Sequence, residues 1–105
     1  MQHLLFICSR NQWRSRTAET LFQDHPDVRV KSAGTSSVAR VRVSQQLLDW
    51  ADRIYVMESH HRDKLLQRFG RGDWEGRTVV LDIADEYRYM DEELVGELRD
   101  VVKLQ

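Results

Sequence analysis

Four short segments, three mostly apolar and one alternating apolar and polar, recur along the chain and predict β-strands. They occupy residues 3–7, 28–32, 53–57 and 78–81, and runs of this length rich in β-branched residues are typical of strands. The first run is apolar at every position from Leu4 to Ile7, as in a parallel strand covered on both faces. Residues 28–32 instead alternate apolar and polar, which predicts a half-buried strand near an edge.

The segments between these runs have the 3.6-residue period of helices. The sequence predicts helices from Ser15 to about residue 25, over 44–51, and from about residue 60 to Gly70. A last helix carries an apolar stripe made of Leu94, Val95, Leu98, Val101 and Val102. This alternation of strands and helices predicts an α/β layered fold with a mostly parallel sheet, and the length predicts one domain over residues 1–105.

Composition excludes several classes of partner. Charged residues make up 31% of the chain, hydrophobic residues 41%, and the formal net charge is −1. We therefore expect neither nucleic acid nor an anionic membrane as a partner. The apolar run at the N-terminus is too short for a signal peptide or a membrane span, and a single cysteine suits a reducing compartment, so a cytoplasmic location is expected.

The chemistry of the chain is concentrated after the first strand. Cys8 ends this strand, and Arg14 and Ser15 follow where the first helix begins. Ligands of α/β sheets bind beyond the carboxyl ends of the strands, and a helix N-terminus attracts anions. A thiolate here could attack phosphorus while Arg14 holds phosphoryl oxygens and Ser15 donates to the sulfur. The alternative is that Cys8 is a small buried core residue.

Several motifs resemble those of one enzyme family in the same order. Residues 8–15 (CSRNQWRS) with 17–19 (TAE) resemble the signature of low-molecular-weight protein tyrosine phosphatases. Residues 32–35 and 51–58 are similar to its second and third strand motifs, and Asp-Glu-Tyr at 85–87 stands for its Asp-Pro-Tyr. The chain looks like a shortened member. The resemblance implies a three-layer, four-stranded parallel sheet with helices on both faces, and hydrolysis of phosphotyrosine without a metal or cofactor.

The resemblance also implies roles for individual residues. Cys8 would be the nucleophile, Arg14 the phosphate clamp and Asp85 the general acid, with Asp82 as the alternative acid. Tyr87 would line the pocket where a substrate ring stacks. The other residues expected to contact the substrate or support the loop are Ser9, Arg10, Asn11, Gln12, Trp13 and Ser15. The expected partner is a phosphotyrosine-containing protein or a small aryl phosphate.

Two departures from the family pattern keep other functions open. Arg10 stands where many relatives have a glycine, so strain is expected there, and Trp13 replaces a second cysteine. A catalytically weak phosphate- or phosphotyrosine-binding regulatory module is thus an alternative. A phosphocysteine carrier is less favoured because it needs no acid such as Asp85, and a disulfide-relaying arsenate reductase would need more cysteines. Outside the loop, we expect His60 and His61 to have a capping or surface role, and Trp74 either to be partly exposed or to anchor its loop.

Overall fold

A computed structural model describes residues 1–103 as a parallel sheet between helices. The strands are β1 (Gln2–Cys8), β2 (Val28–Gly34), β3 (Arg53–Val56) and β4 (Thr78–Val80). The helices are α1 (Arg14–Phe22), α2 (Gln45–Trp50), α3 (Ser59–Phe69) and α4 (Glu92–Val101), with a 3₁₀ helix at Asp73–Arg77. The strand order is β2-β1-β3-β4, and each neighbouring pair is parallel. The predicted fold class is confirmed.

The residues of β1 divide the hydrophobic core into two halves. Leu4 and Phe6 belong to a cluster with residues of α1 and α4, whereas Leu5 and Ile7 belong to a cluster with residues of α2 and α3. All four side chains are fully buried. Because successive residues of a strand point to opposite faces, a run of consecutive apolar residues is what a doubly covered central strand requires.

The structure decides between the two interpretations of Trp74 and corrects one prediction in α4. Trp74 is 4% exposed, and its indole N–H donates to the Gly70 carbonyl at 3.1 Å. The tryptophan therefore anchors the connection between α3 and β4 and is not available as a partner surface. In α4, Leu94 and Leu98 are buried, but Val101 is 45% exposed because it lies off the face that packs on the sheet.

The parallel arrangement brings four connections to one edge of the sheet. These follow Cys8, Gly34, Val56 and Val80, the last residues of the four strands. The loops after β1, β3 and β4 therefore lie close together although they are far apart in sequence. Among residues 1–103, no helix has the length and apolar character needed to cross a membrane.

Candidate active site

A cavity of about 330 Å³ lies over the loop between β1 and α1. The residues that line it are Cys8, Ser9, Arg10, Gln12, Trp13, Arg14 and Asp85. Six of the seven lie between the end of β1 and the first residue of α1, and the seventh lies in the segment after β4. The fold thus brings the predicted nucleophile, the predicted clamp and the favoured acid to one place.

The Cys8 sulfur is held by two hydrogen-bonding groups. Cys8 is 4% exposed. The Asn11 backbone N–H donates to Sγ at 3.2 Å, and the Ser15 hydroxyl oxygen lies 2.9 Å from Sγ. Asn11 Nδ2 donates to that same oxygen at 2.8 Å, so the Ser15 hydroxyl hydrogen can go to the sulfur or to the Ala33 carbonyl oxygen, which is farther away at 3.3 Å. Donors directed at sulfur stabilise a negative charge there.

Asn11 gives the loop its shape. Its φ of 58° lies in the left-handed region, which asparagine tolerates better than most residues. Its side chain is fully buried and also donates to Ser32 Oγ at 2.8 Å, which ties the loop to β2. Arg10 is not among the residues with positive φ. The expected strain at Arg10 is therefore wrong, because the unusual backbone angle falls one residue later.

The segment after β2 supports the loop from outside. The backbone N–H groups of Thr35 and Ser36 donate to the Cys8 and Ser9 carbonyls at 3.0 and 2.9 Å. A Cβ on Gly34 would lie 2.4 Å from the Ser9 carbonyl oxygen, a distance that no side chain tolerates. Glycine at this position therefore lets β2 approach the loop. The carbonyl groups are held outward, which leaves the loop's amides for an anion.

Arg14 is fixed from one side by the segments after β3 and β4. The residue is 3% exposed, and Nη1 donates to Glu58 Oε1 at 2.5 Å and to the Ile83 carbonyl at 2.8 Å. Nε lies 3.7 Å from Asp85 Oδ1. Within residues 1–103 no hydrogen bond engages Nη2. The guanidinium is thus hydrogen-bonded through one nitrogen, and the Nε–Nη2 edge, which has only the longer contact of Nε with Asp85, can make a bidentate contact with phosphate.

Glu58 is a residue that sequence reasoning did not assign to the site. Burial alone would raise the pKa of its carboxyl, but the hydrogen bond and charge of Arg14, followed by those of His60, hold the pKa below its usual value. The carboxylate therefore stays ionised and keeps Arg14 in place. The signal that could have found it is an acid directly after the third strand, at the edge where ligands bind.

His61 has the predicted capping role but is not at the surface. It is fully buried, Nδ1 accepts from the Glu58 backbone N–H at 3.0 Å, and Nε2 lies 2.9 Å from Ser9 Oγ. Ligand atoms of Glu58, His60 and His61 lie within 4.8 Å of one another. Since both His61 nitrogens are engaged and Glu58 holds Arg14, this trio is poorly suited to bind a metal.

The three candidate residues in the segment after β4 differ in whether they line the cavity. Asp85 lines the cavity with its side chain 62% exposed, whereas Asp82 is exposed and is not part of the lining. Tyr87 does not line the cavity either, and its hydroxyl donates to Glu97 at 3.3 Å. The predicted role of Tyr87 as the aromatic wall is therefore not met, and Trp13, 43% exposed, is the aromatic residue of the lining.

Three solved structures show which proteins the chain is similar to. A YwlE arginine phosphatase from Geobacillus stearothermophilus is 25% identical, with a TM-score of 0.73 over 95% of this chain and 84% of that one. Vibrio vulnificus Wzb in complex with benzylphosphonate is 24% identical, with a TM-score of 0.71 over 91% and 88%. A low-molecular-weight protein tyrosine phosphatase from T. tengcongensis is 17% identical, with a TM-score of 0.74 over 96% and 92%.

The fold is that of the low-molecular-weight protein tyrosine phosphatases. The likenesses confirm the predicted resemblance, and the neighbours are phosphatases, as the prediction of a phosphoric monoester hydrolase requires. No protein-family model matches the chain, and no curated protein matches it.

Proposed function

We propose that the chain hydrolyses phosphate monoesters, most favourably phosphotyrosine in proteins, through a cysteinyl-phosphate intermediate. The observation that carries this proposal is the placement of Cys8, Arg14 and Asp85 around one small cavity. A nucleophile, a phosphate clamp and an acid are the groups that metal-free phosphoryl transfer to a cysteine requires.

The first step transfers the phosphoryl group to sulfur. The Cys8 thiolate attacks phosphorus, an S–P bond forms, and the P–O bond to the leaving group breaks. Asp85 in its acid form gives its proton to the departing oxygen, so a neutral phenol leaves. Arg14 and the amides of the loop bind the three equatorial phosphoryl oxygens, over which negative charge is spread in the transition state.

The second step restores the enzyme. Asp85, now a carboxylate, takes a proton from a water molecule as the water oxygen attacks phosphorus. The S–P bond breaks, inorganic phosphate leaves, and the sulfur returns to a thiolate. The hydrogen bonds from Asn11 and Ser15 stabilise that thiolate as the leaving group.

Phosphoarginine is a second candidate substrate. The observation that favours it is the similarity to an arginine phosphatase, at 25% identity over 95% of this chain. The indole of Trp13 at the cavity can contact a phenyl ring or, through a cation–π contact, a guanidinium group. The aryl monoester is preferred because Asp85 is placed to protonate a phenolate.

The test is phosphate release by the purified chain, with a chelator present, from three substrates in parallel. These are an aryl phosphate, a phosphotyrosine peptide and a phosphoarginine peptide. We expect hydrolysis of the aryl phosphate and the phosphotyrosine peptide, and loss of all turnover in Cys8→Ser. Activity that survives Cys8→Ser would overturn the mechanism, and faster release from phosphoarginine would reverse the choice of substrate.

The two non-hydrolytic alternatives give different results in the same samples. Phosphotyrosine peptide that binds but is not cleaved would identify a regulatory binding module. Stable phosphorylation of Cys8 by a phosphoryl donor, without release of phosphate, would identify a phosphocysteine carrier.

A further inference from the structure

The contact between His61 and Ser9 has a fixed direction. His61 lies in α3 and Ser9 lies in the β1–α1 loop, 52 residues apart, and their side chains meet at 2.9 Å. A backbone N–H can only donate, so the bond from the Glu58 N–H makes His61 Nδ1 an acceptor. In a neutral imidazole with an acceptor at Nδ1, the hydrogen is on Nε2. His61 therefore donates to Ser9 Oγ.

This direction determines what the Ser9 hydroxyl can do. Because its oxygen accepts from His61, the hydroxyl hydrogen remains free for another acceptor. Ser9 follows Cys8 directly and lines the cavity. We infer that His61 is a positioning residue that makes Ser9 a fixed hydrogen-bond donor to the phosphoryl group. The inference deepens the proposed function and rests on it.

The arrangement persists across neutral pH. Burial, then the charges of His60 and Arg14, lower the pKa of His61 to about 3, so the ring stays neutral. Glu58 fixes both contacts at once, since its carboxylate holds Arg14 and its backbone N–H orients His61. The N-terminus of α3 thus orients two different groups that face the same anion.

Single and double substitutions test the inference by calorimetric binding of inorganic phosphate and by kcat and KM for an aryl phosphate. Ser9→Ala should weaken phosphate binding and kcat/KM by about 10- to 100-fold, the usual range for the loss of a hydrogen bond to a charged group. Ser9→Thr, which keeps the hydroxyl, should retain most of both. Ser37→Ala, on an exposed serine outside the cavity, is the matched control.

His61→Asn supplies the decisive comparison. An asparagine can still accept from the Glu58 N–H but is too short to reach Ser9. We expect a loss similar to that of Ser9→Ala, and no further loss when the two are combined, because both remove one interaction. Thermal unfolding identifies any variant that fails to fold. If His61→Asn does not fold, nitrogen NMR shifts of His61 in the wild type take its place, and a hydrogen on Nδ1 instead of Nε2 would overturn the inference.

Two results with the variants would overturn the inference. They are additive losses in the double variant, or phosphate binding unaffected by Ser9→Ala. Failure of the proposed function gives a different result, because the wild-type chain would then bind phosphate without hydrolysing the aryl phosphate. The comparison of phosphate binding between the variants would still decide the role of Ser9. A wild-type chain that binds no phosphate would overturn both.

Discussion

At the scale of single residues, Asn11 combines two requirements of the site. Its backbone adopts a left-handed angle, and its side chain donates to Ser15 and Ser32. A glycine would meet the first requirement and not the second. One residue therefore shapes the loop and joins it to β2 and α1, which explains why a loop without glycine can still curve around Cys8.

Single substitutions can decide whether Asp85 or Asp82 is the general acid. We expect Asp85→Asn to lower kcat by about 10²–10⁴-fold for substrates with a poor leaving group and far less for p-nitrophenyl phosphate, which needs little protonation. Asp82→Asn is the matched control, because Asp82 does not line the cavity. The measurement is kcat across aryl phosphates of graded leaving-group pKa. A larger loss in Asp82→Asn would reassign the acid.

Trp13 should determine the preference for aromatic substrates. Trp13→Ala removes the aromatic part of the lining, and we expect KM for an aryl phosphate to rise about 5-fold while KM for a small alkyl phosphate stays nearly constant. Tyr87→Leu, which removes the ring and keeps an apolar side chain against the core, is the control, since Tyr87 lies outside the lining. If the Tyr87 variant shows the stronger effect, the aromatic wall has been assigned to the wrong residue.

At the scale of elements, the segment after β2 closes a ring of polar contacts beneath the loop. Arg40 Nε donates to the Asn11 carbonyl at 3.2 Å, and Arg40 Nη2 lies 3.7 Å from Glu19 Oε1. Glu19 accepts from Ser32 at 2.6 Å, and Ser32 accepts from Asn11. The loop is therefore held through both the side chain and the backbone of Asn11.

Arg40→Ala should loosen this ring. Since Arg40 is exposed and its ion pair is weak, we expect little change in thermal stability but a 3- to 10-fold loss of kcat/KM, about 1 kcal/mol for one lost hydrogen bond. Arg42→Ala is matched in charge and in position along the segment, and no hydrogen bond of its side chain occurs among residues 1–103. Equal losses in the two variants would indicate an effect of charge and not of positioning.

At the scale of the whole molecule, the site lies where the two halves of the core meet at the end of β1. Cys8 belongs to the cluster shared with α1 and α4, whereas Val56 and Leu65 belong to the cluster shared with α2 and α3. His61 is buried beside this second cluster and is the most buried ionisable ring of the chain. Its burial makes the stability of the fold sensitive to acid.

Stability should fall as the pH drops below about 6.5. The pKa of His61 is 6.5 when unperturbed and about 3 in the folded chain. Between these values the unfolded chain binds more protons than the folded chain. The contribution of His61 to the free energy of unfolding is therefore complete above pH 6.5 and decreases by up to about 1.4 kcal/mol for each pH unit below it. The measurement is urea unfolding at pH 7.5, 6.5 and 5.5.

His61→Asn is the comparison for this effect. The variant should be less stable than the wild type at pH 7.5 and should lose less stability on acidification. The other three histidines are present in both proteins, so their contribution cancels in the comparison. Equal slopes of the free energy of unfolding against pH would show that His61 does not carry the dependence.

The sequence by itself determined the features that depend on local pattern. The consecutive apolar residues of β1 predicted a doubly covered strand, and the step from Ile7 through Cys8 to Arg14 predicted an anion-binding loop at a helix start. The strand and the helix start lie where these patterns put them, because side-chain direction in strands and the exposed amides of helix termini follow from the backbone alone, whereas anion binding by the loop stays a prediction.

Only the tertiary structure decided which distant residues join that loop. The segment after β4 is tied to α1 by the hydrogen bonds of Tyr89 with Thr20 and of Met90 with Thr17. Its path brings Asp85 to the cavity and leaves Asp82 and Tyr87 outside the lining. Glu58 and His61 entered the site because parallel strands bring their carboxyl ends to one edge. Such contacts join residues tens of positions apart, so no periodicity in the sequence records them.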